Sequence, residues 1–222
     1  KNQYFLVSFP KTGRTWLNYM LKQMVKQSNH PLKNNENFIF NEHDNSEIII
    51  ENGTRNNPLD VFKFTSRDRY RRGKVLFLVR DPRDVVVSHF HQVTKRSRNP
   101  FVFKSISDFV KDDILGFNRI IHYYNLWFSQ KEIPKDFLLI KYEDLLNEGV
   151  DTLSEINKFF NIDITKDKIE KIYSESSADK MREKEKENKL EGFKDFGKDR
   201  DKLKVRNAKS GGFINELSED DI

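Results

Sequence analysis

The chain has 222 residues, no cysteine, and a formal net charge of +5 from 40 basic and 35 acidic residues. This length suffices for one domain with a substantial core, while the missing cysteines exclude disulfides and thiolate metal sites. No apolar run approaches about 18 residues and no leader pattern is visible, so the sequence predicts neither a membrane span nor a signal peptide.

The first predicted elements are a buried strand over residues 4–9, a polar loop over 10–14 and an amphipathic helix over 15–28. A loop between a strand and a helix N-terminus binds anions, because backbone N–H groups and the positive end of the helix dipole converge there. The residue order differs from that of a Walker A loop, in which the lysine follows the last glycine. The segment therefore predicts a nucleotide phosphate site without the usual Mg-ATP geometry.

Several side chains of this segment add to its capacity to bind a nucleotide. Lys11 is a mobile cation, and Thr12 and Thr15 carry hydroxyl donors. Trp16 offers a ring on which a base could stack. The alternative interpretation is an ordinary strand–turn–helix unit that binds no ligand.

A short strand is predicted over residues 38–40, and His43 and Asp44 follow it in a polar stretch. Histidine is suited to accept a proton near neutral pH, so the histidines of the chain are the candidates for a general base. The alternative interpretation of His43 is a surface histidine in a loop. His89 and His91 lie further along the chain, where either could also approach the group that gives up a proton, although a position on a helix surface is the simpler interpretation for both.

Basic residues cluster between residues 67 and 74 and again between 95 and 98. No aromatic interleaving or nucleic-acid motif accompanies them, so the sequence predicts a solvated basic face rather than an RNA groove. The small net charge suits anionic nucleotides without requiring nucleic acid.

Residues 74–79 form an apolar run after one charged residue, which predicts a parallel strand buried on both faces. Asp81 can cap the next helix, and Pro82 suits the first turn of that helix. Arg80 is therefore expected at the carboxyl end of a strand, where ligands bind in open α/β sheets.

Two side chains of this second segment suit a phosphate. The Arg80 guanidinium could grip it through two parallel hydrogen bonds, and Ser88 could add a hydroxyl from the following helix. The alternative interpretation is a strand-end arginine that pairs with Asp81 or Asp84.

The rest of the chain continues the alternation of helices and strands. The sequence predicts a long helix over residues 105–130, a buried strand over 137–142, and helices over 151–160 and 165–174. Dense mixed charge from 179 to 204 is typical of a solvated helix or a mobile loop. The pattern predicts an α/β fold, a single domain over residues 1–222 with a central parallel sheet flanked by helices and a P-loop-like nucleotide site. We expect this domain to be trimmed at its N-terminus, and the strands ending near Phe9, Arg80 and Tyr142 to lie side by side.

Five segments together resemble one family. Ser8–Trp16 resembles the phosphosulfate-binding loop of the cytosolic-type sulfotransferases, and residues 74–88 resemble their 3′-phosphate-binding segment. Tyr142–Leu145, Ser176–Met181 and Val205–Phe213 are similar to three further motifs of that family. Its members transfer a sulfuryl group from 3′-phosphoadenosine-5′-phosphosulfate (PAPS) and release adenosine 3′,5′-bisphosphate (PAP).

The resemblance implies a cytoplasmic, PAPS-dependent sulfotransferase of bacterial-like type, with a small-molecule acceptor that offers a hydroxyl or an amine. It implies no metal, no nucleic-acid partner and no membrane partner, and it assigns no oligomeric state. The nucleotide-contacting residues that it implies are Lys11, Thr12, Gly13, Arg14, Thr15, Trp16, Arg80, Ser88, Tyr142, Ser177, Arg206, Asn207 and Ala208.

The matched positions also imply individual roles. Lys11 would stabilise the bridging oxygen of the leaving group, and Tyr142 and Ser177 would lie against the adenine. His43 matches the family's position for the catalytic base, and Asp44 would orient the imidazole or serve as the base itself.

The 3′-phosphate would be held by Arg80, Ser88 and Arg206. Asn207 and Ala208 stand where the family usually has lysine and glycine. The first replacement removes a cation, and the second restricts the close approach of backbone to phosphate.

Two other functions are compatible with parts of the pattern. A P-loop-like kinase using ATP would need a lysine after the loop glycine and an acidic metal ligand at a strand end, for which Asp81 could be proposed. A non-catalytic anion- or RNA-binding protein would use Arg80 and the basic cluster but would have no need for Lys11 or a general base.

Overall fold

The computed structural model describes residues 3–30, 39–42, 50–51, 54–55, 66–95, 100–187 and 209–221. Among the helices of these residues, none combines the length and the apolar character that a bilayer crossing requires.

The strands are β1 Gln3–Ser8, β2 Ile39–Glu42, β3 Ile50–Glu51, β4 Thr54–Arg55, β5 Gly73–Val79 and β6 Asp136–Lys141. β1, β2, β5 and β6 form a four-stranded sheet in the order β2-β1-β5-β6, and all its pairings are parallel. β3 and β4 form a separate antiparallel pair.

The helices are α1 Arg14–Gln27, α2 Pro82–Lys95, α3 Ile106–Val110, α4 Phe117–Ser129, α5 Tyr142–Asn147, α6 Gly149–Phe160, α7 Lys166–Glu175 and α8 Ala178–Lys186. Short 3₁₀ turns cover Asp68–Tyr70, Gly212–Asn215 and Glu219–Asp221. The α/β fold with a parallel sheet between helices confirms the predicted fold class.

Both faces of the central strands β1 and β5 are buried, whereas β6, predicted as a buried strand, has only Ile140 buried. Tyr4 and Leu6 of β1 pack on one side into a core shared with α1, α6 and α7. Phe5 and Val7 point to the other side, into a core shared with α2 and α4. Each central strand therefore needs apolar residues at consecutive positions, which is why the strands read as unbroken apolar runs in the sequence.

The register of the sheet brings the functional segments to one edge. Val7 of β1 lies between Glu42 of β2 and Phe77 of β5, and Phe77 pairs in turn with Leu139 of β6. All four strands run in the same direction, so their carboxyl ends share this edge. The prediction that β1, β5 and β6 lie side by side is confirmed.

The prediction of one long helix over residues 105–130 is wrong, because the structure has two helices, α3 and α4, with a turn between them. The Asp112 carboxylate accepts hydrogen bonds from the N–H groups of Ile114 and Leu115 at 3.0 and 2.7 Å, which offers the backbone an alternative to a helix. A side chain on Gly116 would collide with the carbonyl oxygens of Phe109 and Val110. The apolar pattern alone carries no sign of this break.

The predicted solvated basic face needs correction at Lys74, whose mostly buried side chain donates to the Phe159 carbonyl oxygen at 2.9 Å, and above all at Arg67. Arg67 is fully buried, and its guanidinium lies 4.9 Å from the centre of the Trp127 ring. A buried cation on an aromatic face belongs to the core rather than to a binding surface. Arg69, Arg71 and Arg72 are exposed, as predicted.

Candidate active site

The loop between β1 and α1 is held in a strained, well-defined shape. Lys11 has a φ of 73° and Gly13 a φ of 95°, both in the left-handed region. The Thr12 side chain is fully buried, and its hydroxyl donates to the Phe9 carbonyl oxygen at 2.9 Å. The Thr12 hydroxyl thus closes the loop on itself, and any part that Thr12 takes in binding an anion falls to its N–H group.

The start of α1 presents backbone donors at this loop. The first helical hydrogen bonds run from the N–H groups of Trp16 and Leu17 to the Gly13 carbonyl oxygen, at 3.0 and 3.2 Å. The N–H groups of residues 14 and 15 therefore precede the first donor of these helical hydrogen bonds, Trp16, and lie at the positive end of the helix dipole. The Arg14 and Thr15 side chains are half-buried beside them. This geometry suits an anion.

Gly13 is packed against an aromatic ring from another strand end. A Cβ on Gly13 would lie 2.5 Å from Cδ2 of Tyr142, the first residue of α5. Glycine is needed here both for the positive φ and for the contact with the ring.

We expect Gly13→Ala to lower the free energy of unfolding and the nucleotide affinity together. The positive φ costs about 1 kcal/mol for an alanine, and displacement of the Tyr142 ring adds to this. Thermal unfolding and calorimetric titration of the variant measure the two effects. Gly73→Ala is the matched control, because its Cβ would also lie 2.5 Å from an aromatic ring, that of Phe5, but at the end of β5 opposite to Arg80. A wild-type affinity in Gly13→Ala would contradict the assignment of this loop to the site.

Trp16 joins α1 to the start of α8. Its Nε1–H donates to the Ser176 carbonyl oxygen at 2.7 Å, and its ring meets that of Tyr142 edge to face, with centroids 5.9 Å apart. Ser177 follows as the exposed N-cap of α8. The residues expected to contact adenine, Tyr142 and Ser177, are therefore linked through Trp16. Burial raises the pKa of the Tyr142 phenol above its ordinary value although Arg80 opposes it, so this hydroxyl stays protonated and can donate.

Arg80 lies at the centre of the site. Its guanidinium stacks 4.6 Å from the centre of the Tyr142 ring, and its Nη1 donates to the Lys11 carbonyl oxygen at 3.4 Å. Its Nη2 donates to the Lys209 carbonyl oxygen at 2.9 Å and lies 3.5 Å from the Asp84 carboxylate. Its Nε is buried and has no hydrogen-bond partner among the described residues. Such a donor is expected to find an acceptor, and an incoming phosphate would supply one.

The turn after β5 forms as the sequence predicts. Asp81 caps α2 by accepting from the Arg83 N–H at 2.9 Å, and Pro82 occupies the first position of the helix. Asp81 also binds the Arg83 guanidinium through both carboxylate oxygens, at 3.0 and 2.7 Å. Burial raises the pKa of this carboxyl, but the hydrogen bonds from Arg83 outweigh burial and leave the pKa below its ordinary value. Of the two acids proposed as partners of Arg80, Asp84 forms the ion pair.

A segment near the end of the chain, residues 209–217, packs against this turn, and we call it the docked segment. The Asp84 carboxylate accepts from the N–H groups of Gly211 and Phe213 at 2.8 and 3.1 Å. The Arg83 guanidinium lies 4.1 Å from the centre of the Phe213 ring. Glu143 accepts from the Asp81 N–H at 3.1 Å and from the Ser210 hydroxyl at 3.4 Å.

The importance of Asp84 and Glu143 was not recognised from the sequence. An acidic residue in the first turn of a helix is common because it favours the helix dipole, so neither carboxylate stands out. The signals present were that Asp84 was one of two possible ion-pair partners of Arg80 and that Glu143 belongs to the Tyr142–Leu145 motif.

Two histidines of α2 have defined surroundings. The position on a helix surface that the sequence predicted is wrong for His89, which is buried between the rings of Phe9 and Phe109. Its Nδ1 lies 3.2 Å from the Leu115 carbonyl oxygen. Burial lowers the pKa of His89 to about 4, so it is neutral at ordinary pH and serves the core. His91 pairs with Glu216 of the docked segment at 2.5 Å.

The Lys11 ammonium contacts α2. Its Nζ donates to the Gln92 side-chain oxygen at 3.4 Å. Ser88 is half-buried on α2, one turn beyond Asp84 and therefore on the same side of the helix. The structure thus brings together Lys11, Gly13, Trp16, Arg80 and Tyr142.

Five predicted site residues lie outside the described residues: His43, Asp44, Arg206, Asn207 and Ala208. Their flanks are described. β2 ends at Glu42, at the edge of the sheet that carries the phosphate loop, and residue 209 lies against Arg80.

A family model described as "Sulfotransferase domain" matches residues 1–222. The chain belongs to the sulfotransferase domain family. It is similar to cytosolic sulfotransferase 6 of Arabidopsis thaliana, at 24% identity over 74% of this chain and 57% of the relative. It is also similar to sulfotransferase 2A2 of Mus musculus, at 25% identity over 80% of this chain and 66% of the relative. The chain thus spans less than two thirds of the length of these two curated sulfotransferases.

Solved sulfotransferase-like structures share the fold. Mouse sulfotransferase SULT7A1 complexed with PAP matches with a TM-score of 0.68 and 22% identity, covering 99% of this chain and 79% of that chain. Retinol dehydratase in complex with androsterone and the inactive cofactor PAP matches with a TM-score of 0.66 and 15% identity, covering 99% of this chain and 77% of that chain. The P-loop-like sulfotransferase fold therefore extends over nearly the whole chain.

Proposed function

We propose that this chain carries a PAPS-dependent sulfotransferase activity that transfers a sulfuryl group to a hydroxyl or amine of a small molecule. The observation that carries the proposal is the position of Arg80, which contacts the phosphate loop through the Lys11 carbonyl oxygen and retains a buried donor without a partner among the described residues. Two cationic sites at one edge of the sheet fit a nucleotide with phosphates at two positions. Family membership supports sulfotransferase chemistry over the kinase and the non-catalytic alternatives.

The residues present fit such a nucleotide. The loop N–H groups, including those of Thr12, Gly13, Arg14 and Thr15, would hold the 5′-phosphate at the start of α1. Arg80 would bind the 3′-phosphate through its buried Nε, with Ser88 and Arg206 as further donors; Asn207 and Ala208 would approach through their backbone. The adenine would lie near Tyr142, Trp16 and Ser177.

The proposed reaction is an in-line displacement at sulfur. The acceptor oxygen or nitrogen forms a bond to sulfur while the bond from sulfur to the bridging phosphate oxygen breaks, and PAP leaves. His43, with Asp44 beside it, would take the acceptor proton, and the end of β2 at the phosphate-loop edge supports this role. Lys11 would neutralise the charge that grows on the bridging oxygen. The other residues of the site would contribute by positioning the nucleotide and the acceptor, as in phosphoryl transfer.

We further propose that residues 1–222 form one sulfotransferase domain that acts in the cytoplasm without a metal or a nucleic-acid partner. The match of the family model over residues 1–222 supports the first point. The relatives named cytosolic sulfotransferases support the second.

The proposal is tested by comparing PAP with adenosine 5′-phosphate in a calorimetric titration. PAP should bind about 10- to 150-fold more tightly, because a charge-assisted hydrogen bond to its 3′-phosphate contributes about 1.5–3 kcal/mol. Mg-ATP and a short RNA serve as comparison ligands for the kinase and RNA-binding alternatives. Equal Kd values for PAP and adenosine 5′-phosphate would overturn the proposal, as would a preference for Mg-ATP.

A further inference from the structure

Asp84 has an unusual environment for an acidic residue. It is buried at 4% exposure in the first turn of α2. Its Oδ1 accepts from the Phe213 N–H, and its Oδ2 accepts from the Gly211 N–H and faces the Arg80 guanidinium. A buried carboxylate is tolerated only when it is paired and hydrogen-bonded in this way.

The same guanidinium is tied to the docked segment a second time. Arg80 Nη2 donates directly to the Lys209 carbonyl oxygen at 2.9 Å, while Asp84 holds residues 211 and 213 of that segment. The segment, Asp84 and Arg80 therefore form a closed ring of contacts. A rotation of the Arg80 side chain would break its hydrogen bond to Lys209 and its ion pair with Asp84.

We propose that Asp84 is a positioning residue for the 3′-phosphate site around Arg80. This inference rests on the function proposed above. Its carboxylate fixes the docked segment against Arg80, so that the guanidinium is oriented before the nucleotide arrives. Asp84 thus orients Arg80 through the docked segment and through the ion pair, without contacting the ligand itself.

The negative charge of Asp84 and its hold on the docked segment have opposite effects on the affinity for the 3′-phosphate. A carboxylate near a phosphate repels it, so removal of the charge alone would strengthen binding of the 3′-phosphate. Without the hydrogen bonds from Asp84, Arg80 and the docked segment would have to become ordered when the nucleotide binds, and this ordering would weaken binding. The direction of the change in affinity therefore distinguishes the two effects.

The test is Asp84→Asn, which keeps the shape of the side chain but removes its charge and replaces one acceptor oxygen by a donor. The quantity measured is the ratio of the Kd for adenosine 5′-phosphate to the Kd for PAP, which isolates the contribution of the 3′-phosphate. Asp112→Asn is the matched control, because the Asp112 carboxylate also accepts from two backbone N–H groups but lies in the turn between α3 and α4. Hydrogen exchange of the peptide over 209–217 reports whether the segment has loosened.

We expect Asp84→Asn to lower the Kd ratio by about tenfold or more and to speed exchange in the docked segment. Asp112→Asn should lower the melting temperature while leaving the ratio at its wild-type value. If Asp84→Asn does not yield folded protein, Asp84→Ser, which is smaller and uncharged, is measured in the same way.

A ratio that is unchanged or raised in a folded Asp84 variant, with faster exchange in the docked segment, would overturn the positioning role. Unchanged exchange in that segment would overturn it as well. A wild-type ratio near one is a different result, because it would remove the 3′-phosphate site itself and with it the proposed function.

Discussion

Lys11→Ala is expected to lower kcat by about 10²- to 10³-fold, as removal of one donor to a developing negative charge does in other enzymes. The proposed role of Lys11 is to neutralise the bridging oxygen as the sulfur–oxygen bond breaks, and that charge is small in the ground state. The affinity for PAP should therefore change much less than kcat. The fold should remain intact, since the Lys11 side chain is only partly buried and its hydrogen bond to the Gln92 side chain is long, at 3.4 Å. Single-turnover transfer from labelled PAPS measures the rate of the chemical step.

Lys26→Ala is the matched control for this experiment, because Lys26 is an exposed lysine in the last turn of α1, at the end of that helix opposite to the phosphate loop. Lys11→Arg should also be slow, since a planar fork replaces a compact charge in a tight loop. Transfer by Lys11→Ala at the wild-type rate would remove Lys11 from the mechanism.

His43→Asn is expected to lower kcat by about 10²- to 10⁴-fold with little change in the affinity for PAP. A general base works in its deprotonated form, so activity should rise with pH through its pKa in the wild type. That acid limb of the kcat/KM profile should be absent in His43→Asn. His89 does not produce such a limb between pH 5 and 8, because burial lowers its pKa to about 4.

Asp44→Asn belongs in the same series, since Asp44 could orient the imidazole or act as the base. His122→Asn is the control, because His122 is exposed on α4. Full activity in His43→Asn together with loss of activity in His91→Gln would move the acceptor to the side of α2 that faces Glu216.

Much of the fold was predictable because its signals are local. β1 and β5 appear in the sequence as apolar runs, since both faces of these central strands are buried. β6 has a similar apolar run, although only Ile140 of this end strand is buried. The cap formed by Asp81 and the position of Pro82 follow from rules that involve only neighbouring residues. The approach of Lys11, Arg80 and Tyr142 then follows from the common direction of their strands.

The features that were missed depend on contacts between distant parts of the chain. Asp84 binds Gly211 and Phe213, which lie 127 and 129 positions further along the chain, and no local pattern predicts such a pairing. Arg67 looked like one of several surface cations, but the ring of Trp127 lies over it. The break between α3 and α4 depends on how closely Gly116 approaches the end of α3, which the apolar period does not encode.

The strand order also determines when the site can be assembled during synthesis. Gln3 pairs with Gly73, so the edge of β1 that faces β5 stays unpaired until 70 further residues have emerged from the ribosome. Arg80 then waits for Lys209 and Gly211 before its surroundings are complete. Pairing over such separations is intrinsically slow, and unpaired strands are prone to aggregate while they wait. A nascent chain of this protein therefore leaves one edge of β1 unpaired until β5 has been synthesised, and the surroundings of Arg80 are complete only after residues 209–213 have followed.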